Sequence, residues 1–295
     1  MSASIVVFLC TYNGEKYLHR QLDSVVGQQG MNVRIIAHDD GSKDNSVNIL
    51  NEYNIPVMGG EHLGAAHGFF YLMEQAPEAD FYAFCDQDDI WDSDKLKKAA
   101  DALEAAAPEG SAALYACSTR LVNDSEEFIS LHKIDKNRSL TSRLFYASIS
   151  GNTIVFNKKM RDIAVMHHPE EMVMHDSWMV KLCIATGGHL VIDEEPHMDY
   201  RMHGNNVVGM ELNFSQKVGK FKKVVKGRGE GQELIDICNY YGSMVPDEYR
   251  KLAADTLLTR TDKRARRGFV KKYGIDFKSR GFDAAFAMKV SRGNL

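Results

Sequence analysis

The five cysteines of this 295-residue sequence are odd in number, scattered and without a CxxC pair. That excludes a disulfide framework or a zinc ribbon and points to a reducing compartment. No apolar run is long enough to cross a bilayer; residues 5–10 (IVVFLC) form the longest clean one near the start. No basic stretch followed by a long apolar segment opens the chain, so no secretory signal is expected and the location read from sequence is cytoplasmic. The absence of a GxxxxGK[ST] loop excludes a P-loop NTPase, and the absence of GxGxxG after the first strand counts against a dinucleotide fold. Internal repeats and low-complexity segments are also lacking. What remains is globular: 44% hydrophobic and 26% charged residues supply ample material for a core.

Charge is unevenly spread. The net charge is −4, yet residues 216–295 hold 19 Lys and Arg against 9 Asp and Glu, leaving 17 against 31 in residues 1–215. An acidic body with a basic tail suggests two parts with different partners. The expected division is therefore a catalytic domain over 1–215 and a basic, mainly helical extension over 216–295.

Strand and helix patterns alternate along the body. Residues 5–10 read as a strand covered on both faces, and Tyr17, Leu18, Leu22, Val25 and Val26 recur at helical spacing. A second strand is predicted over 33–37, then a helix with Val47, Leu50 and Tyr53 capped by Asp44 or Ser46. A short strand at 55–58, a helix from about 65 to 75 and a strand at 81–85 follow. Units of this length imply an α/β fold with a mostly parallel sheet flanked by helices, whose ligands lie at the carboxyl ends of the strands. Three strands end there in polar clusters: Thr11-Tyr12-Asn13, Asp39-Asp40-Gly41-Ser42 and Asp86-Gln87-Asp88-Asp89.

Asp86, Asp88 and Asp89 put three carboxylates within four residues, which repel one another unless a cation lies between them. Hard oxygen ligands suit Mg²⁺ or Mn²⁺, which commonly also bind substrate phosphate. A nucleoside diphosphate fits: Asp40 can accept from the imide N–H of a pyrimidine, and Tyr12 can stack on the base. Read alone, the acidic run is equally a solvated turn with a helix cap at Ser93 or Asp94.

The segments VVFLCTYNGEKYL, AHDDGSKDNS and FCDQDDIWDSDKL resemble the three N-terminal signatures of family 2 glycosyltransferases, and DQDDIW is similar to the bacterial rhamnosyltransferase branch. ISGNTIVFNKKM (149–160), MHDSWMVKLCIATGG (174–188) and YRMHGNNVVG (200–209) extend the likeness, in family order, over about residues 3 to 210. The resemblance implies a GT-A (Rossmann-like) fold, a nucleotide-sugar donor, a divalent metal (Mn²⁺ or Mg²⁺) and transfer with inversion. It assigns Thr11, Tyr12, Asp40 and Glu15 to the pyrimidine base and Asp86 to the ribose or sugar side. It gives Asp88, Asp89 and His203 to the metal and diphosphate, with Arg201 assisting. Asp176 matches the catalytic base, though alone it reads as a helix N-terminal cap. Gly151 and Asn152 match the acceptor or donor-sugar pocket, where relatives often have Cys at the second position. His175, where many relatives have Glu, reads as an acceptor contact or a polar neighbour, and Trp178 as a border of the sugar pocket or as core.

On this reading Asp176, favoured in its ionised form by a helix dipole, takes the acceptor hydroxyl proton. The donor is dTDP-rhamnose by resemblance, with a UDP-sugar as the alternative; the acceptor is a saccharide or a lipid-linked saccharide of cell-surface polysaccharide synthesis. A non-catalytic nucleotide-sugar binding module is the competing class. Basic clusters at 217–226, 263–267 and 271–272, interleaved with Phe221, Phe269, Val270, Phe282 and Phe286, suit either an anionic membrane surface, giving a peripheral position, or a helical hairpin packed on the body. The acidic body argues against nucleic acid.

Overall fold

The computed structural model describes residues 2–203 and 229–295. The predicted order is found in the first half: β1 (Ser4–Thr11), α1 (Glu15–Val26), β2 (Asn32–Asp39), α2 (Ser46–Glu52), β3 (Val57–Met58), α3 (Gly64–Gln75) and β4 (Phe81–Cys85). β3 is shorter than the predicted strand because it follows Pro56, which has no N–H to give a ladder. There follow β5 (Ile90–Trp91), α4 (Lys95–Ala106), β6 (Ala113–Val122), β7 (Phe128–His132) and α5 (Leu140–Phe145). A 3₁₀ turn (Gly151–Thr153) leads to β8 (Val155–Asn157), α6 (Lys158–Ala164), α7 (His175–Ala185) and β9 (His189–Arg201).

The strands form one nine-stranded sheet in the order β3-β2-β1-β4-β8-β6-β9-β5, with β7 on β6. The β3-β2-β1-β4 half is wholly parallel, as is the long β6–β9 pair; β8, β5 and β7 are antiparallel insertions. β1 shows why its apolar run is continuous: Ile5, Val7 and Leu9 enter the core on one face, Val6 and Phe8 the core on the other.

The C-terminal part is helical: α8 (Gly229–Tyr240), α9 (Asp247–Thr261), α10 (Lys263–Arg266), α11 (Phe269–Lys272) and α12 (Arg280–Arg292). Leu234, Ile237, Tyr241, Phe269, Phe286 and Val290 share one apolar cluster with Leu144, Phe145 and Trp178 of the body. The predicted interleaving therefore separates by face. Phe269 and Phe286 are buried and Val270 and Phe282 pack on the core, while Lys263, Arg264, Arg267 and Lys271 are exposed. The 217–226 cluster, Phe221, the 215/216 boundary and the end of the YRMHGNNVVG segment lie outside the described residues.

Candidate active site

The carboxyl ends of β2, β1 and β4 lie side by side in the parallel half of the sheet, and Gln87, just beyond β4, is bound to the end of β1. Its Oε1 accepts from Thr11 Oγ1 at 2.6 Å and from the Tyr12 amide at 2.9 Å. The packing is close: a Cβ on Gly14 would stand 2.4 Å from Gln87 Oε1. Tyr12 is 48% exposed, its ring edge-on to His62, so one face is open for stacking. Asn13 has φ 49° and is pinned to the next loop, its amide donating to Ser42 Oγ at 2.8 Å and its Oδ1 accepting from the Lys43 amide at 2.9 Å. Glu15 and Asp44 staple the same loops reciprocally: Glu15 accepts from the Asn45 amide, and Asp44 from the Glu15 amide. Asp44 also accepts from the Ser46 amide at the start of α2.

Asp40 is buried and turned to the start of α3. Its Oδ1 accepts from the amides of Leu63 at 2.6 Å and Gly64 at 3.0 Å, and its Oδ2 is 2.8 Å from His62 Nδ1. Gly64 there has φ +72°, a left-handed turn that suits glycine. The neighbouring Asp39 accepts from the Gly41 and Ser42 amides through Oδ2, while its buried Oδ1 has no partner among the described residues.

After β4 the three acids separate by environment. Asp88 is partly exposed, and its Oδ2 is 2.6 Å from Nε2 of His203, two residues beyond β9. The His203 ring stacks on Tyr17 at 4.9 Å. Asp89 is wholly enclosed, Oδ1 accepting from the Arg201 amide at 3.2 Å and Oδ2 from Asn152 Nδ2. Burial, then the charges of Asp88 and Asp86, push its carboxyl well above the usual range. Asp86 is pushed to about 7 by burial, Asp88 and Asp176.

Arg201 faces inward: it donates to the Asp88 and Asp124 carbonyls, both at 3.0 Å, and pairs with Glu126 at 3.1 Å, bracing this loop against the β6–β7 turn. Sequence reasoning missed two further residues. Gln87 lay unnoticed between the acids. Lys95, fully buried, donates from Nζ to the Asn152 carbonyl at 2.9 Å and lies over the Trp91 ring; burial lowers its ammonium to about 8. The only signal for Lys95 was a lysine six residues beyond the acidic run that ends at Asp89.

Asp176 opens α7. Gly151 and Asn152, adjacent in the 3₁₀ turn, connect it to the acids of β4: Gly151 packs on Asp176, where a Cβ would stand 3.5 Å from Asp176 Cβ, and Asn152 holds Asp89. Burial raises Asp176 to about 6 despite the hydrogen bond from the Ser177 amide. The dipole argument from sequence is thus outweighed by desolvation. His175 is buried against Phe69 and Phe84 at 4.1 and 4.7 Å, its ring nitrogens have no partner among the described residues, and burial drops it to about 3, so it is neutral. It fills the space under Gly151, where a Cβ would come within 2.4 Å of His175 Nε2. Trp178 is wholly buried in the core. A cavity of about 330 Å³ beside Asp176 is lined by Phe145, Tyr146, Ser148, Ser150, Met174 and Tyr200, among others.

Asp88 brings a carboxylate oxygen, a donor that suits Mn²⁺ or Mg²⁺, within 2.6 Å of the His203 imidazole. Asp92, Asp94 and His197 also have ligand atoms within 4.8 Å of one another, but Arg120 forks Asp92 and Lys98 pairs with Asp94.

The mostly parallel sheet flanked by helices is that of a GT-A glycosyltransferase. S. aureus TarS 1–349 in complex with UDP-GlcNAc superposes with a TM-score of 0.58 at 14% identity, over 99% of this chain and 89% of that one. The mannosyltransferase PcManGT from Pyrobaculum calidifontis, in complex with GDP-Man and Mn²⁺, gives 0.55 at 13% identity, over 98% and 85%. The chain belongs to glycosyl transferase family 2, whose family model matches residues 6–169. It is 29% identical over 249 residues to the dTDP-rhamnosyl transferase RfbG of Shigella flexneri, covering 78% of this chain and 83% of that protein. An uncharacterized glycosyltransferase of Nostoc sp., alr2836, is 31% identical over 100 residues, about a third of each chain.

Proposed function

We propose that this glycosyltransferase moves L-rhamnose from dTDP-rhamnose, with inversion, onto a saccharide or lipid-linked saccharide acceptor. The observation that carries the mechanism is the Gly151–Asn152 turn, which packs against Asp176 through Gly151 and hydrogen-bonds Asp89 through Asn152. This turn would set proton acceptor and diphosphate site side by side. The similarity to RfbG favours the donor.

The base stacks on Tyr12, with the His62–Gly64 turn fixed by Asp40 as its rim and Thr11 held by Gln87 beneath. Asp88 and His203 would hold the metal, which when bound offsets charge on the departing diphosphate. Asp89 and Arg201 keep that loop in place from within. The acceptor enters the cavity beside Asp176, where Tyr146 and Tyr200 offer aromatic walls. Its hydroxyl oxygen attacks the anomeric carbon, its proton passes to Asp176, and the bond to the diphosphate oxygen breaks with the electron pair leaving on dTDP. Neutral, apolar-packed His175 keeps Gly151 at its height and takes no proton.

A thermal-shift panel tests the donor, since a ligand bound only by the folded state raises stability with its affinity. With Mn²⁺, dTDP is expected to raise the Tm more than UDP, and both more than GDP. An equal response to all three removes the donor assignment. The outward Lys263, Arg264, Arg267 and Lys271 suit an anionic lipid surface bearing the acceptor, at about 1 kcal/mol per near-surface charge. Among the described residues no helix is long and apolar enough to cross a membrane. Changing these four to Glu is expected to abolish flotation with anionic liposomes and leave Tm unchanged; undiminished flotation refutes the membrane reading.

A further inference from the structure

The C-terminal helices reach the start of α7, the helix that carries Asp176. Glu233, on α8, is only 2% exposed and comes from a part of the chain more than fifty residues beyond Asp176. Its carboxylate makes three contacts. Oε1 accepts from the Val173 amide at 3.0 Å, while Oε2 accepts from Ser177 Oγ at 3.1 Å and Lys181 Nζ at 2.6 Å. Lys181 is 1% exposed, in the otherwise apolar middle of α7. The three contacts bracket Asp176: Val173 precedes it, Ser177 follows it, and Lys181 lies one further turn along the helix.

We propose that Glu233 is a positioning residue for Asp176, clamping the entry and first turns of α7 so that the carboxylate faces the acceptor; this rests on the reading of Asp176 as the base. Three observations favour position over stability. A buried ion pair is a poor stabiliser, because desolvation of both charges offsets their attraction, and apolar replacement of such a pair is commonly neutral or favourable. The pair is built exactly where a short loop becomes a helix, with one carboxylate used to fix backbone as well as side chains. Lys181 and Ser177, like Asp176, line the cavity assigned to the acceptor, whereas Glu233 lines a separate cavity of about 540 Å³ behind it. The clamp is therefore the wall between the two, and α8 completes the active site from behind.

The test compares two double variants of the full chain, so that neither leaves a lone buried charge. Glu233→Leu/Lys181→Met removes all three contacts; Glu233→Gln/Lys181→Met keeps an acceptor for the Val173 amide and a partner for Ser177. Both are expected to fold with near wild-type Tm and an unchanged KM for the donor. The leucine variant is expected to lose about 10- to 100-fold in kcat, the scale of a small misplacement of a reacting group. The glutamine variant is expected to stay within about threefold. On an Asp176→Asn background the leucine variant should cost nothing further, which a merely structural role would not produce. A folded leucine variant with wild-type kcat, or one whose donor KM rises instead, overturns the proposal. If that variant does not fold, Ser177→Ala, which removes one contact from a half-buried residue, decides: wild-type kcat there overturns it. Full activity in Asp176→Asn itself would instead mean that the base reading has failed, a separate outcome in the same assay.

Discussion

Asp176→Asn is expected to lower kcat by about 10²- to 10⁴-fold, the range contributed by a positioned general base, with donor affinity unchanged. The asparagine keeps the volume and the oxygen that accepts from the Ser177 amide, so the start of α7 should survive the change. The pH profile gives a second signature. Burial holds Asp176 at about 6, above the ordinary carboxylate, and the active form is the ionised one. Activity should therefore be present above pH 6 and fall tenfold per unit below it, an acid limb that the asparagine variant lacks. The sign for stability is opposite. A carboxyl raised on folding binds its proton more tightly in the folded state, so its contribution is greatest below about pH 4 and is lost as pH rises through about 6. Near-normal turnover in the variant, or a wild-type profile flat down to pH 5, would refute the assignment.

Asp88→Asn is expected to reduce metal-supported transfer by about 10²- to 10³-fold, equivalent to some 3–4 kcal/mol of lost charge stabilisation. The same substitution separates a binding role from a structural one. Asp88 is a cause of the raised carboxyls of both Asp86 and Asp89. Removing its charge relieves like-charge repulsion in the metal-free protein. The metal-free variant should thus be at least as stable as wild type at pH 8, while the extra stabilisation by dTDP with Mn²⁺ disappears. Loss of stability without metal, together with an intact Mn²⁺ response, would show that Asp88 only braces the loop through His203.

The two residues that follow Gln87 show how far local reading goes. Asp88 and Asp89 are chemically identical and adjacent, and the sequence treats both as metal-side acids. In the fold one is open to the cleft beside His203, and the other is enclosed between Asn152 and the Arg201 amide. A pattern cannot separate them, because the difference comes from partners 63 and 112 residues away. His175 makes the same point: nothing adjacent to it marks it as a histidine between two phenylalanines, since Phe69 and Phe84 belong to other elements.

The sequence by itself determined the alternation of strands and helices, the parallel first half of the sheet and the ends at which its polar clusters lie. These follow from hydrophobic period and turn chemistry, interactions between residues a few positions apart. Only the tertiary structure decided how differently the neighbouring acids are enclosed and that the basic helices share the core of the body. It alone brought Glu233 behind Asp176. Those outcomes depend on desolvation and on hydrogen bonds across long stretches of chain, which exist only once the sheet has brought its distant partners together.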